Sequence, residues 1–413
     1  MNNYSNIECC RVCGSDNLEE IFSLGEQCLT GVFPKAGSPD PSSGPVDLLL
    51  CHNCGLVQLR QSYQLAEMYG DNYGYRSSLN NSMVEHLRKK IHKLEQLAGI
   101  KSDDLVIDIG SNDATSLKAY DIKCHRVGID PTSAKFREYY TDGIEHIEDF
   151  FSAETFKKFY PNKKAKIITS IAMFYDLESP IDFAKDIYKV LADDGLWHFE
   201  QSYLPTMLQA TAYDTICHEH LEFYDLEVIQ FILREAGFDM IEAELNDING
   251  GSIAITACKQ GAGYRLKKDE IDSILQREQN VGFRSINTYQ KFVERIQTHK
   301  SELVQLLSRI KAEGKTVLGY GASTKGNVLL QYCGIDSNLL PAIVEINQEK
   351  FGSMTPGTHI PIISEAEGKR LEPDYYLVLP WHFRENIISK ETDFLHQGGK
   401  LIFPLPKLEI FAV

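Results

Sequence analysis

Residues 215–224 read TICHEHLEFY and set three titratable side chains, His218, Glu219 and His220, next to one another among aromatic residues. A neutral imidazole takes up a proton near physiological pH, and a neighbouring carboxylate can orient it or balance its charge. The triplet therefore predicts a general base. The alternative interpretation is a solvated polar turn that leads into the helix predicted over residues 226–236.

Two Cys-x-x-Cys knuckles near the N-terminus, each followed by a glycine, suggest a second kind of chemistry. Together they offer four thiolates, the ligand set of a tetrahedral structural zinc site, whereas two unrelated reduced pairs would be the alternative. Because four protein ligands leave no position for water or substrate, the metal is expected to hold the fold. Cys9 adjoins the first knuckle, but only Cys10 has the two-residue spacer. The predicted zinc ligands are Cys10, Cys13, Cys51 and Cys54.

The elements that must position the triplet alternate between helical periodicity and short apolar strands from about residue 83 to 245, the pattern of a doubly wound α/β sheet. One strand ends in the turn Gly-Ser-Asn-Asp at 110–113, and the next ends in a carboxylate placed to bind a ribose. This acidic turn lacks the glycines that a pyrophosphate needs and suits a nucleoside that carries a cation, so we expect S-adenosylmethionine as cofactor. The expected cofactor residues here are Asp108, Gly110, Asn112, Asp130, Pro131 and Ser170.

Composition excludes several classes of function. The 413 residues predict two to four domains, and 58 acidic against 42 basic residues leave a formal charge of -16. With no basic cluster, nucleic acid and anionic membranes are not expected partners. The first ten residues lack the features of a signal peptide, and no apolar run is long enough to span a bilayer, so we expect a cytoplasmic protein.

A second glycine turn lies in the last third of the chain, where a predicted strand at 316–320 runs into an apolar helix. Amide groups at a helix start attract phosphate, and a lysine there adds positive charge. We therefore expect a nucleotide diphosphate at this turn, with a second Rossmann-like unit kept for packing as the alternative. The predicted contacts are Gly321, Ser323, Lys325, Asn327, the strand-end carboxylate Glu345, and Trp381 and His382 after a later strand.

The knuckles, DIGSND at 108–113 and CHEHLEFY at 217–224 together resemble the sugar C-methyltransferases that act on nucleotide-linked 4-keto-6-deoxyhexoses. The resemblance runs end to end and includes YGYRS at 73–77, Tyr213-Asp214 and NGGS at 249–252. It implies an α/β protein with a zinc-binding N-terminal domain (1–70), a class I Rossmann-like methyltransferase domain that binds S-adenosylmethionine (71–260), a helical connector (261–310) and a C-terminal Rossmann-like domain that binds the nucleotide of the sugar (311–413).

The resemblance also implies roles for individual residues. The Glu-His pair of the family falls on Glu219 and His220, with His220 as the base. Some family members carry a tyrosine at the position of Cys217, and His218 could take the role of that missing tyrosine. At the position of Tyr175 in this sequence, the family has a histidine. The remaining residues implied at the sugar or cofactor are Tyr73 or Tyr75, Tyr224, Asn249 and Gly250.

The implied reaction is methylation at C-3 of a dTDP- or GDP-linked 4-keto-6-deoxyhexose, in which a base removes the C-3 hydrogen and the enolate carbon attacks the methyl group. Three alternatives remain: an NAD-dependent nucleotide-sugar oxidoreductase that uses the glycines of 319–326, another small-molecule methyltransferase, and a non-catalytic zinc-bearing binding protein. A monomer and a homodimer are equally compatible with the sequence.

Overall fold

The structure is a computed structural model and describes residues 3–64, 68 and 76–413. Its N-terminal part consists of short antiparallel strands around the predicted zinc knuckles. They are β1 (Tyr4–Asn6), β2 (Leu18–Cys28), β3 (Ser43–Cys51), β4 (Val57–Leu59) and β5 (Gln61–Tyr63). β1 pairs with β5, whereas β2, β3 and β4 form a sheet whose fourth strand comes from the central part of the chain.

The central part alternates strands and helices, as the hydrophobic pattern predicted. Its elements are α1 (Asn81–Ala98), β6 (Leu105–Ile109), α2 (Thr115–Lys118), β7 (His125–Ile129), β8 (Glu145–Ile147), α3 (Ala153–Phe159), β9 (Ala165–Ile171), α4 (Pro180–Val190), β10 (Leu191–Ser202), α5 (Leu204–Gln209), β11 (Glu222–Phe223), α6 (Leu226–Glu235), β12 (Phe238–Asn246) and β13 (Ser252–Lys259). Seven of the strands form one sheet in the order β12-β13-β10-β9-β6-β7-β8.

Strands β6 to β10 of this sheet run parallel, and β13 is antiparallel to both of its neighbours. All five side chains of β6 are buried, since helices cover both faces of a parallel sheet. The strand order reverses between β6 and β9, and ligands of open α/β sheets bind outside the carboxyl ends of the strands at such a point. The predicted doubly wound fold is confirmed.

Helices α7 (Lys268–Val281) and α8 (Ile286–Ala312) lead to a second α/β sheet. Its elements are β14 (Val317–Tyr320), α9 (Thr324–Cys333), β15 (Ile343–Glu345), β16 (Ile362–Ser364), α10 (Glu365–Arg370), β17 (Tyr375–Val378), α11 (Arg384–Lys390), α12 (Thr392–His396), β18 (Lys400–Phe403) and β19 (Glu409–Phe411). The strand order is β16-β15-β14-β17-β18-β19, and only β19 is antiparallel to its neighbour. Among the described residues, no helix is long and apolar enough to cross a membrane.

Strand β11 joins the central part of the chain to the N-terminal sheet. It follows the His-Glu-His triplet directly and pairs antiparallel with β4, with Glu222 opposite Gln58 and Phe223 opposite Val57. The N–H of Leu59 also donates to the carbonyl of Leu221 at 2.8 Å. The strand that comes immediately after the second zinc knuckle therefore holds the backbone next to the triplet.

Candidate active site between the two sheets

The four knuckle thiols form one cluster, in which all four sulfur atoms lie within 4.8 Å of one another. The Sγ atoms of Cys10 and Cys54 are 3.6 Å apart, and those of Cys13 and Cys51 are 3.5 Å apart. A tetrahedral site with Zn–S bonds of about 2.3 Å places its sulfur atoms roughly 3.8 Å apart, so this cluster fits zinc. The predicted structural zinc site is confirmed.

The turn after β6 begins at Gly110, whose φ of +69° lies in the left-handed region that favours glycine. Its N–H donates to the carbonyl of Ile129 at 2.9 Å, and a Cβ added to it would lie 3.2 Å from Cγ of Met173. Asn112 and Ala114 also have positive φ, 49° and 59°. The turn is therefore sharply folded where it meets the carboxyl edge of the sheet.

Asp130 closes this turn from the neighbouring strand. Its carboxylate accepts the N–H of Asn112 at 2.8 Å and the N–H of Thr132 at 2.6 Å, and Pro131 lies half-buried beside it. Asp108 lies deeper and accepts a hydrogen bond from the Thr169 hydroxyl at 2.5 Å, and burial raises its pKa to about 7.

The segment that enters α1 lies on the same turn. Ser77 donates its N–H to the side chain of Asn112 at 3.0 Å, and Ser78 donates its N–H to Asp113 at 3.1 Å. Tyr73 and Tyr75, one of which was predicted to line the sugar pocket, with Tyr75 also predicted at the cofactor and in catalysis, lie outside the described residues.

His220 is oriented by its own turn. Its Nδ1 lies 2.8 Å from the carbonyl oxygen of Thr215. Because a carbonyl can only accept, Nδ1 must carry the proton and Nε2 must present its lone pair. The ring packs on Tyr175, with centroids 4.2 Å apart. Burial lowers the pKa of His220 to about 4, and the charge of Lys325 contributes to this shift, so the ring is neutral near pH 7.

The side chain of Glu219 points to the place where the N-terminal, central and C-terminal parts of the chain come together. A Cβ added to Gly31 would lie 2.5 Å from Oε1 of Glu219 and 3.9 Å from the hydroxyl oxygen of Thr324. Oε2 of Glu219 is buried without a hydrogen-bond partner in the described chain. Burial raises the pKa of Glu219, and the thiol of Cys217 offsets only part of this rise. Among the described residues, no hydrogen bond joins Glu219 to His220.

The second sheet contributes Lys325 from the first turn of α9. Its Nζ donates to the carbonyl of Asn249 at 2.6 Å, on the turn between β12 and β13. Gly250 follows with a φ of +91°, and a Cβ there would lie 3.0 Å from the ring of Trp381. His382 lies next to this contact, and burial followed by the charge of Lys325 lowers its pKa well below the usual range.

Asp214 connects this group to the turn of His220. Its Oδ2 accepts the indole N–H of Trp381 at 2.7 Å, whereas its Oδ1 is buried without a hydrogen-bond partner in the part of the chain that is described. The next residue, Thr215, supplies the carbonyl that orients His220. The structure therefore brings His220, Lys325 and Trp381 into one interface between the two sheets.

Asp214, the Thr215 carbonyl and Gly31 were not predicted as site residues. The only sequence signal for Asp214 was its place in the Tyr213-Asp214 pair of the family pattern. Every residue has a backbone carbonyl, so the sequence gives no signal for the one of Thr215. Gly31 reaches the site from a distant part of the chain.

Four predicted site residues are turned elsewhere. His218 is fully buried against Tyr63, with ring centroids 4.6 Å apart, and its Nε2 lies 3.2 Å from the Gln27 carbonyl. The N–H of His220 donates to the carbonyl of Cys217 at 3.1 Å, so a β-turn lies between the two histidines, and His218 contacts the N-terminal part while His220 faces the interface. A role for His218 in proton transfer therefore has no geometric support. The other three are Ser170, Tyr224 and Asn327.

Each of these three side chains has a packing partner. The Ser170 hydroxyl accepts the indole N–H of Trp197 at 3.0 Å, because strand alternation places it on the core face of β9. Tyr224 is fully buried and stacks on a core aromatic ring. Asn327 donates to the carbonyl of Thr30 at 2.7 Å and so ties α9 to the N-terminal part.

The second glycine turn repeats the first. Gly321 has a φ of +78° and donates its N–H to the carbonyl of Val344 at 2.8 Å. One carboxylate oxygen of Glu345 accepts the N–H of Ala322 at 2.9 Å, and the other accepts the N–H groups of Ile346 and Asn347. Ser323 caps α9, because its hydroxyl accepts the N–H of Gly326 at 3.0 Å.

Known proteins match this chain from end to end. Residues 10–69 match a domain described as zinc-binding, residues 82–243 a methyltransferase domain, and residues 247–406 the C-methyltransferase C-terminal domain. The chain is 30% identical over 412 residues to the C-methyltransferase NovU of Streptomyces niveus, with 98% of this chain and 97% of NovU covered. The chain belongs to the C-methyltransferase family of NovU.

Two solved methyltransferase structures are each similar to less than half of this C-methyltransferase. An S-adenosylmethionine-dependent methyltransferase from Clostridium acetobutylicum is 11% identical with a TM-score of 0.33, over 43% of this chain and 92% of its own. An O-methyltransferase family protein from Burkholderia thailandensis is 14% identical with a TM-score of 0.36, over 48% of this chain and 64% of its own.

The C-methyltransferase uses S-adenosylmethionine, and its central sheet is the S-adenosylmethionine-binding fold. The residues at the first glycine turn suit that cofactor. Asp130 stands at the strand end where a nucleoside ribose binds, whereas Asp113 is buried in the turn and pairs with Arg76 at 3.9 Å. The predicted cofactor and the predicted zinc are both confirmed.

Proposed function

We propose that this C-methyltransferase adds a methyl group to C-3 of a dTDP- or GDP-linked 4-keto-6-deoxyhexose. The observation that carries the proposal is the orientation of His220. Its Nδ1 is committed to the Thr215 carbonyl, and its ring is neutral, so Nε2 offers a lone pair toward the interface. A carbon acceptor must lose a proton before it can attack a methyl group, and a fixed neutral imidazole is suited to take it.

The 4-keto group makes the C-3 hydrogen acidic. His220 takes this proton on Nε2, and the electron pair of the broken C–H bond moves into a double bond between C-3 and C-4 while the carbonyl pair moves to oxygen. The imidazolium formed keeps its Nδ1–H on Thr215, so the ring need not reorient during the reaction. Tyr175 restricts the ring from its other side.

S-adenosylmethionine supplies the electrophilic methyl group when it is bound. The chain's own part is to hold the acceptor in line with it, which accounts for much of the acceleration in a reaction between two bound molecules. Asp108, Gly110, Asn112, Asp130 and Pro131 lie at or beneath the turn that would hold the nucleoside of the cofactor.

The nucleotide of the sugar is proposed to bind at the second glycine turn. Gly321 and Glu345 there reproduce the strand-glycine-acid arrangement of the cofactor half. This assignment follows the predicted division of the chain, in which residues 1–70, 71–260, 261–310 and 311–413 act as the zinc, cofactor, connecting and nucleotide parts. We keep that division as part of the proposal.

Two measurements test the proposed function. Calorimetry with S-adenosylhomocysteine, dTDP, GDP and NAD should give micromolar binding of the first compound and of one diphosphate. Incubation of the zinc-loaded protein with S-adenosylmethionine and each 4-keto-6-deoxyhexose nucleotide should then give a product heavier by one methyl group. Binding of NAD without S-adenosylhomocysteine, or methylation at oxygen instead of carbon, would overturn the proposal.

A further inference from the structure

Lys325 carries a positive charge into the interface that contains His220. An ammonium group has three N–H donors, and the only described acceptor for this one is the Asn249 carbonyl at 2.6 Å. No carboxylate forms an ion pair with it in the described parts of the chain. Burial lowers the pKa of Lys325, and the charge of the buried Asp214 carboxylate, which lies beyond ion-pair distance, offsets part of this shift. Water compensates the ammonium charge poorly at such a buried position.

A short series of contacts links this amine to the base. Asn249 is followed by Gly250, which lies so near Trp381 that an added Cβ would be 3.0 Å from its ring. The indole N–H of Trp381 donates to Asp214, and the residue after Asp214 carries the carbonyl that orients His220. The ammonium and the imidazole therefore belong to one packed group.

The start of α9 offers less to a diphosphate than its sequence suggested. The Ser323 hydroxyl already accepts the N–H of Gly326, and Asn327 donates to Thr30 of the N-terminal part. Lys325 instead extends to the turn between β12 and β13 of the other sheet. Its charge therefore lies on the side of the base.

We propose that Lys325 binds the 4-keto oxygen of the sugar and stabilises the negative charge that forms there when His220 removes the C-3 proton. This inference rests on the proposed function and assigns Lys325 to catalysis instead of to the phosphates. In the step itself the C-3–H bond breaks, the proton goes to Nε2 of His220, and the carbonyl electron pair goes to the oxygen beside the ammonium. A fixed charge aimed at an oxygen that becomes negative stabilises the transition state more than the ground state.

Solvent exchange of the C-3 hydrogen isolates this step from methyl transfer. The full-length, zinc-loaded protein is incubated in deuterium oxide with S-adenosylhomocysteine and with the dTDP- or GDP-linked 4-keto-6-deoxyhexose, and loss of the C-3 proton signal is followed by NMR. For Lys325→Met we expect exchange at saturating sugar nucleotide to slow by about 10²- to 10³-fold, the usual effect of removing one oxyanion donor. Binding of dTDP and GDP, measured by calorimetry, should stay within about threefold.

Two further variants control for folding and for loss of a lysine as such. Lys325→Arg keeps the charge and should recover part of the exchange rate. Lys311→Met removes another amine of the same part of the chain that donates to a backbone carbonyl, that of Asn338 at 2.7 Å, and should exchange like the unmodified protein. S-adenosylhomocysteine affinity reports whether the central sheet is intact in each variant.

The possible results separate this inference from the proposed function. Unchanged exchange in Lys325→Met together with a tenfold or larger loss of dTDP or GDP affinity would make Lys325 a phosphate ligand and overturn the inference. Unchanged exchange with unchanged affinity would overturn it as well. Absence of exchange in the unmodified protein with either sugar nucleotide would instead overturn the proposed function.

Discussion

The two glycine turns of this protein share a backbone arrangement and differ in charge. In each, the glycine after the first strand has positive φ and donates its N–H to the strand beside it, Gly110 to Ile129 and Gly321 to Val344. In each, an acid at the end of that neighbouring strand accepts a backbone N–H of the turn, at 2.8 Å for Asp130 and 2.9 Å for Glu345. The strand orders around both turns are also the same over five strands.

The residues after each glycine differ between the two turns. The first turn carries Asp113 and leads through Ala114, at a φ of 59°, into a helix of only four residues. The second is capped by Ser323 and leads into a helix of ten residues with Lys325 in its first turn. One backbone arrangement is thus followed by a buried acid paired with Arg76 in one half and by a lysine in the other, so the two halves differ in the residues after the glycine.

The largest effect should come from loss of zinc, and it should fall unequally on the two halves. About 10 kcal/mol of metal-binding free energy is coupled to folding in structural zinc sites. Because β4 after the second knuckle pairs with β11 after the triplet, we expect Cys51→Ser to loosen residues 215–224. Hydrogen exchange of these amides should rise far more than that of residues 321–327.

Cys124→Ser is the matched control, because Cys124 is a free thiol outside the cluster. It should retain zinc, measured by atomic emission, and should leave both stretches protected. Equal loosening of the two stretches in Cys51→Ser would mean that the β4–β11 pairing does not single out the base turn.

The next largest effect on activity concerns the general base His220, which lies in the central half of the chain. His220→Asn should lower kcat by about 10²- to 10⁴-fold while S-adenosylhomocysteine and diphosphate binding are kept. Because the neutral ring is the active form and the pKa of His220 is lowered to about 4, kcat/KM of the unmodified protein should be full at pH 6 and fall only as the pH drops through about 4.

His218→Asn is the control for this variant, since that buried histidine of the same turn faces Gln27. It should lower the thermal stability of the protein and leave kcat within a fewfold. Normal turnover in His220→Asn, or loss of turnover in a folded His218→Asn protein, would reverse the two assignments.

A smaller effect should separate the two strand-end acids. Hydrogen bonds to charged groups contribute about 1.5–3 kcal/mol, so each substitution should weaken one ligand by roughly tenfold or more. Calorimetry should show weaker S-adenosylhomocysteine binding in Asp130→Asn and weaker dTDP or GDP binding in Glu345→Gln. If either variant weakened both ligands equally, the two turns would not act as independent nucleoside sites.

The smallest effect should come from the helix cap that only the second turn has. Ser323→Ala removes the acceptor for the Gly326 N–H and should lower the free energy of unfolding by about 1 kcal/mol, measured in urea. Ser323→Asn keeps a capping oxygen and should remain close to the unmodified protein. A full loss in the Asn variant would show that the hydroxyl has another role.

Where the sequence predicted the bounds of an element, the structure places that element within a few residues of them. The helix predicted over 226–236 is observed at Leu226–Glu235, and the strand predicted at 316–320 is observed at Val317–Tyr320. The zinc ligands could also be predicted, because the two-residue spacer of each Cys-x-x-Cys knuckle is enough to identify them. Such features depend on neighbours along the chain, where periodicity and turn chemistry act directly.

The direction of individual side chains could not be read in this way. His218 and His220 are two positions apart, yet one faces Gln27, 191 positions away, and the other faces the interface. Lys325 was predicted at a phosphate, and its amine reaches the carbonyl of Asn249, 76 positions away, a contact that the sequence did not predict.

The sequence by itself determined the architecture, the metal site and the cofactor class, since strand, turn and knuckle patterns are local. Only the tertiary structure decided which side chains share the interface between the sheets. That choice depends on the arrangement of distant segments, such as the β4–β11 pairing and the hydrogen bond from Trp381 to Asp214, which no local spacing encodes.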